Sequence, residues 1–163
     1  MDALDREILE ILQDNSRISH REIATMLGIA EEEVTKRIQE LEKKGIIIKY
    51  HTLINWEKAG EEKVSAIIEV NVTPQRGIGF DAIAERIYRF PEVKSVYLVS
   101  GRYDLAVLVE GKNMKEVAFF VATKLATLDT VQSTATHFVL KKYKQEGVIL
   151  EDKEEDKRLV ISP

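Results

Sequence analysis

The sequence predicts an α+β protein in two parts, an N-terminal winged helix-turn-helix domain followed by a C-terminal ferredoxin-like βαββαβ domain. Three observations carry that expectation. Apolar residues recur at three- and four-residue steps up to Leu41. From Lys63 onward the period becomes two, or the runs become solidly apolar. Between these regimes lies the polar stretch "NWEKAGEEK". The boundaries that follow are 1–54 for the helical domain, 55–63 for a linker, 64–143 for the second domain and 144–163 for a C-terminal extension.

The first stripe runs through Leu4, Ile8, Ile11 and Leu12, the second through Ile23, Met26 and Leu27, the third through Val34, Ile38 and Leu41. Each is the spacing of an amphipathic helix that buries one side. In "ISHREI" Ser19 is placed to cap the second helix. Glu22 can reach back from the third helical position, and Ile18 can staple onto Ile23. Gly28 ends that helix, a few residues follow, and Gly45 closes the third in the place that favours a left-handed turn. Two helices joined by so short a turn make a helix-turn-helix. The β-branched and aromatic segment "IIIKYHTLINW" then reads as a short strand or small hairpin, a wing.

In the second half, "KVSAIIEVNV", "VKSVYLVS", "YDLAVLVEG" and "VQSTATHFVLKKY" read as four strands. A helix using Phe80, Ile83, Ala84 and Ile87 stops before Pro91. Another uses Met114, Val117, Ala118, Val121 and Leu125, with Asn113 and Glu116 as a cap pair, and the glycines of "RGIGF" form the loop before the helix at Phe80. Both faces of the sheet carry apolar residues. Val64, Ala66, Ile68, Val70 and Val72 oppose Ile67, and Leu105, Val107 and Val109 oppose Ala106 and Leu108. Two helices cover one face only, so the other is expected to meet a second copy of the chain in a homodimer. Phe119 and Phe120 are assigned to core and interface, and the apolar pieces of the extension to packing across the partner subunit.

Composition narrows the class. At 163 residues and 44% hydrophobic the chain can bury substantial cores. No run approaches the roughly 18 to 20 apolar residues that span a bilayer, and Met1 leads straight into "DALDREIL" without a secretory pattern, so a cytoplasmic location is expected. There is no cysteine, hence no disulfide and no thiolate metal site. His20, His51 and His137 share no ligand spacing, and no nucleophile elbow or phosphate-cradling loop is present; neither a metal nor a cofactor is expected. Net charge is −4, and residues 1–58 are the most acidic part, with 9 Lys/Arg against 12 Asp/Glu. Any DNA contact must therefore come from a local patch.

The order of these elements, with Val34, Arg37, Ile38, Leu41, Glu42, Gly45 and Ile47 in the first domain and Gly101, Tyr103 and Asp104 in "SGRYD", resembles the Lrp/AsnC family of feast/famine transcription regulators over nearly the whole chain. The resemblance implies that the first domain binds operator DNA and that the second dimerises, often assembles into octamers, and can bind an amino acid between subunits. It also implies that the loop Gly101, Arg102, Tyr103 and Asp104 lines the effector pocket.

Ala30 stands at the cap of the third helix, where the family usually has serine. Glu31, Glu32 and Glu33 fill its first turn, where the positive end of the helix favours anions; Glu33 can also reach back to the Ala30 N–H. With Val34, Ile38 and Leu41 buried, the opposite face presents Glu32, Lys36, Gln39 and Lys43, flanked by Thr35. Glu32 suits a cytosine amino group and Gln39 an adenine, while lysines meet guanine edges or phosphate. Arg17, Arg21, Lys44 and Lys49 are candidates to straddle the phosphate backbone, and Arg37 is placed to pair with a neighbouring acid. A dimer would read a two-fold-symmetric site.

Within "SGRYD", Gly101 and Arg102 fit the two-residue turn of a type II′ hairpin. Asp104 enters an apolar sheet and needs a partner, which the ammonium of an amino acid would supply. Thr134 and Thr136 are lesser effector candidates. Two alternatives stay open: a ligand-binding oligomer whose acidic first domain has lost DNA binding, and a haem-pathway decarboxylase subunit of the same layout, for which Arg102 is the one nearby cation.

Overall fold

The computed structural model describes residues 1–73 and 79–150. The chain divides into two compact units, Met1–Ile54 and the remainder from Asn55.

The first unit holds three helices, α1 (Ala3–Asp14), α2 (His20–Leu27) and α3 (Glu31–Lys43). Their starts follow local chemistry. Asp2 and Asp5 exchange backbone N–H bonds at the head of α1, at 2.9 and 3.0 Å, and Ser19 and Glu22 do the same for α2. Gly28 closes α2 and Gly45 follows α3, both at φ 67°, a conformation that costs glycine little. Ile8, Leu12, Ile23, Ala24, Val34 and Ile38 meet in one core, with Ile18 and Ile47 packed against it.

The wing takes a different form from the one expected. Residues 46–55 contain no strand. Ile46 and Ile47 donate their N–H groups to the Leu41 carbonyl, and Ile47 reaches the helical core, while Ile48 is 90% exposed. An extended segment becomes a strand only when another lies beside it, and this unit contains no second strand.

The second unit contains β1 (Val64–Val72), α4 (Phe80–Tyr88), β2 (Val93–Leu98), β3 (Leu105–Gly111), α5 (Met114–Phe120) and β4 (Val131–Phe138). The strands form one antiparallel sheet in the order β2-β3-β1-β4. This is the ferredoxin-like arrangement. Ala66, Ile68, Val70, Leu105, Val107 and Val109 turn inward against Ile83 and Ile87 of α4 and Val117 and Phe120 of α5. Each fully buried aliphatic contributes about 1.5–3 kcal/mol.

Several details differ from the sequence reading. α5 runs into a π turn, Val121–Leu125. This wider turn keeps Val121 and Leu125 buried beside Phe120. Asn113 caps α5 by accepting the Glu116 N–H at 2.9 Å, but the Glu116 carboxylate reaches the Lys112 N–H rather than Asn113. β4 ends at Phe138, where β1 supplies its last paired residue, Ala66, instead of continuing to Tyr143. A small hairpin, β5 (Lys144–Gln145) with β6 (Val148–Ile149), follows and turns at Glu146 and Gly147, both at positive φ. Of the "RGIGF" loop, Gly79 caps α4 while Gly77 lies outside the described residues, as does the end of the C-terminal extension.

The Gly101–Arg102 turn is also corrected. Pairing continues past Leu98 and Leu105, because the Val99 N–H donates to the Asp104 carbonyl at 2.9 Å. The loop is therefore four residues, 100–103. Asp104 fixes it, since its own N–H donates to the Val70 carbonyl at 3.1 Å and its carboxylate accepts the Val72 N–H at 2.9 Å. Gly101 sits at φ 154°.

Candidate nucleic-acid interface and effector site

α3 buries Val34, Ile38 and Leu41 and leaves Glu32, Lys36, Gln39 and Lys43 exposed. Those four follow one another at three- and four-residue steps, so they line one ridge of the helix. The helix starts at Ala30 without a side-chain cap, and Glu31, Glu32 and Glu33 occupy its first turn.

The ridge is held from behind by Arg37. Its Nη1 lies 2.7 Å from Asp5 and 2.8 Å from Asp2, and its Nε lies 2.6 Å from Glu33. Three carboxylates hold the guanidinium firmly charged. In return the Asp2 and Asp5 carboxyls sit below their ordinary range, each first because it accepts the other's backbone N–H and next because of Arg37. Glu33 therefore serves Arg37, which fills the pairing role expected of it. The head of α1 is thereby tied to the middle of α3.

Thr35 is half-buried and already occupied. Its hydroxyl donates to the Glu31 carbonyl at 3.0 Å and lies 2.9 Å from Nδ1 of His20 at the start of α2. A threonine hydroxyl has one hydrogen, so toward His20 it acts as acceptor. Arg17, Arg21 and Lys49 are exposed, and Lys44 lies 3.7 Å from the exposed Glu40. Tyr50 donates to Glu42 at 2.9 Å; burial first, and that carboxylate second, push its hydroxyl upward in pKa. Glu22 is lowered by the Ser19 hydroxyl and then the Ser19 N–H.

In the second unit the loop carrying Gly101, Arg102 and Tyr103 stands at the end of β1 through the Asp104 contacts. One oxygen of Asp104 thus has a backbone partner in place. Arg102 reaches Glu69 of β1, Nη2 to Oε2, at 3.3 Å. Glu69 also lies 3.3 Å, through Oε1, from Nε2 of His137 on β4. Thr134 and Thr136 pair with Val70 and Ile68, on the helix-covered face. Glu69 alternates to the other face, so the threonines and the Arg102 contact stand on opposite sides of the sheet. Sequence reasoning missed Glu69 and His137. The signal was a lone acid within "AIIEVNV", but its partners come from a distant strand and loop.

The profile of a winged helix-turn-helix DNA-binding domain matches residues 1–48, and that of the Lrp/AsnC ligand binding domain matches residues 65–149. The chain belongs to the Lrp/AsnC family. It is similar to the HTH-type transcriptional regulator YugG of Bacillus subtilis (strain 168), 56% identical over 160 residues that cover 98% of this chain and 96% of the relative. Among solved structures it resembles E. coli AsnC, with TM-score 0.70 at 25% identity over 89% of this chain and 95% of that one. It also resembles a Neisseria meningitidis transcriptional regulator in complex with L-Met, with TM-score 0.73 at 26% identity over 89% and 93% of the two chains. This Lrp/AsnC protein is thus a transcriptional regulator with a helix-turn-helix domain, which implies DNA binding, and a ligand-binding domain. The family and these relatives are regulators, not enzymes, which sets aside the decarboxylase-subunit alternative. Among the described residues no helix is long and apolar enough to cross a membrane, and no cluster of three metal-ligating side chains occurs.

Proposed function

We propose that the chain is a sequence-specific regulator that binds a two-fold-symmetric operator as a homodimer and responds to an amino acid. The observation that carries the DNA reading is the exposed ridge Glu32, Lys36, Gln39 and Lys43 on a helix whose other side is locked into the core. Such a ridge has the width and chemistry that the major groove accepts. Arg17, Arg21, Lys44 and Lys49 position the phosphates. Thr35 takes a supporting place, because its hydroxyl is committed to Glu31 and His20.

For the effector, the Neisseria relative's L-Met complex and the match to the ligand-binding domain support an amino acid. The loop Gly101, Arg102, Tyr103 and Asp104 offers both signs of charge. Arg102 suits the ligand's carboxylate and the second oxygen of Asp104 suits its ammonium. Thr134 and Thr136 recede as contacts because they stand on the helix-covered face. The second copy is assigned to the open sheet face, where Ile67 is 43% and Tyr97 60% exposed.

The test is fluorescence anisotropy with DNA from the protein's own upstream region against unrelated DNA, at about 50 and 200 mM salt, with and without pooled amino acids. Selective binding altered by the pool is the expected outcome. Equal binding to both DNAs at both salts would make the acidic first unit a repurposed domain and favour the ligand-binding oligomer.

A further inference from the structure

Register lays out the open face of the sheet in rows. Tyr97, Ala106, Glu69 and Ala135 stand side by side across β2, β3, β1 and β4, and the next row is Ser95, Leu108, Ile67 and His137. Glu69 is the charge of its row, with an alanine methyl on either side. Its side chain is only 18% exposed, yet it has no backbone N–H among its hydrogen-bond partners in the described residues. It gives one oxygen to Arg102 and the other to His137, each at 3.3 Å.

The Arg102 end of this contact is the weak one. Its side chain is 84% exposed, and a 3.3 Å separation is longer than the about 2.7–2.9 Å of a good charge-assisted bond. A single long contact with one partner at the surface is held loosely and exchanges at small cost. A guanidinium on a loop binds a free carboxylate through two parallel N–H···O bonds, a geometry that the single oxygen offered by Glu69 does not provide.

We propose that Glu69 is an internal competitor for the carboxylate of the effector: it holds Arg102 in the empty protein, and a ligand carboxylate takes the guanidinium from it. This rests on the reading of residues 101–104 as the effector loop. Ligand entry then leaves Glu69 to His137 alone. Glu69 is a positioning residue here, since it acts on the ligand only through Arg102.

The experiment is isothermal titration of the full-length protein with each of the twenty L-amino acids, and with the α-carboxamide of whichever binds tightest. Glu69→Gln removes the competitor's charge and keeps its shape. The expected result is a gain of about two- to fivefold in affinity for the amino acid, the range set by the strength of a single ion pair at the surface end of a loop, with no gain for the carboxamide. Adding Arg102→Gln should abolish the gain. A merely structural role for Glu69 predicts weaker binding when it is altered, so unchanged or weaker binding by Glu69→Gln overturns the proposal while leaving the sensor reading intact. If neither the natural chain nor Glu69→Gln binds any of the twenty, the sensor reading and this inference fall together.

Discussion

Arg37 shows how one side chain ties the first unit together. Its bonds to Asp2, Asp5 and Glu33 fasten the head of α1 to α3 behind the exposed ridge. Replacing it with methionine keeps the stem and removes the charge, so Arg37→Met should lower the thermal midpoint of the helical unit, measured by circular dichroism. The acid response follows from the same contacts. Asp2 and Asp5 titrate below their ordinary 3.8 in the folded protein. Their stabilisation is present above that value and is lost as pH falls through the depressed ones. The midpoint of the natural chain should therefore drop steeply below about pH 4, and that of Arg37→Met more gently; parallel curves would show that Arg37 does not carry the effect. On the opposite side of the helix, Gln39 and Thr35 should part company. Gln39→Ala is expected to cost about 1–3 kcal/mol against the preferred operator and little against random DNA. Thr35→Val should affect both alike, because that hydroxyl already serves Glu31 and His20.

At the scale of elements, α3 lacks the side-chain cap that Asp2 gives α1 and Ser19 gives α2. The backbone of Ala30, at φ −72° and ψ 144°, is already that of a cap residue. Ala30→Ser should thus stabilise the unit by about 0.5–1 kcal/mol in urea unfolding, without moving the ridge. No change in the unfolding midpoint would mean that the three glutamates already satisfy the helix start. The Ser19 cap was legible in the sequence because Glu22 lies three residues away, whereas the Asp2 cap of α1 went unread; the helices and the four main strands were legible because burial imposes period 3.6 or 2. What escaped depends on distant partners. Residues 46–55 have strand composition but no strand beside them, and the loop at 100–103 is set by the hold of Asp104 on β1. The exposed ridge of α3 was readable from one helix, whereas the link from Arg102 through Glu69 to His137 exists only once register places β1 beside β4.

For the whole molecule, net charge and assembly decide how an acidic protein holds DNA. With −4 overall, attraction to phosphate comes from a few local cations, so the logarithm of affinity should fall only shallowly with the logarithm of salt, about 0.9 for each phosphate engaged. A single helical unit gains little from so few contacts, and the proposed homodimer would place two units on one operator. In the proposed homodimer the open sheet face joins the two copies, since α4 and α5 already cover the other face. Ile67 sits in the centre of that face, between Leu108 and His137, and its side chain shares the face with Glu69 two residues along. Ile67→Asp sets a second carboxylate beside Glu69 and leaves the inner core, which Ile67 does not enter, intact. Sedimentation equilibrium should show its dimer dissociating at concentrations where the natural chain stays paired. Affinity for a two-half-site operator should fall with it, while affinity for one isolated half-site stays level. A variant that sediments like the natural chain would remove the open face as the joint and require a different surface to bring the two recognition helices together.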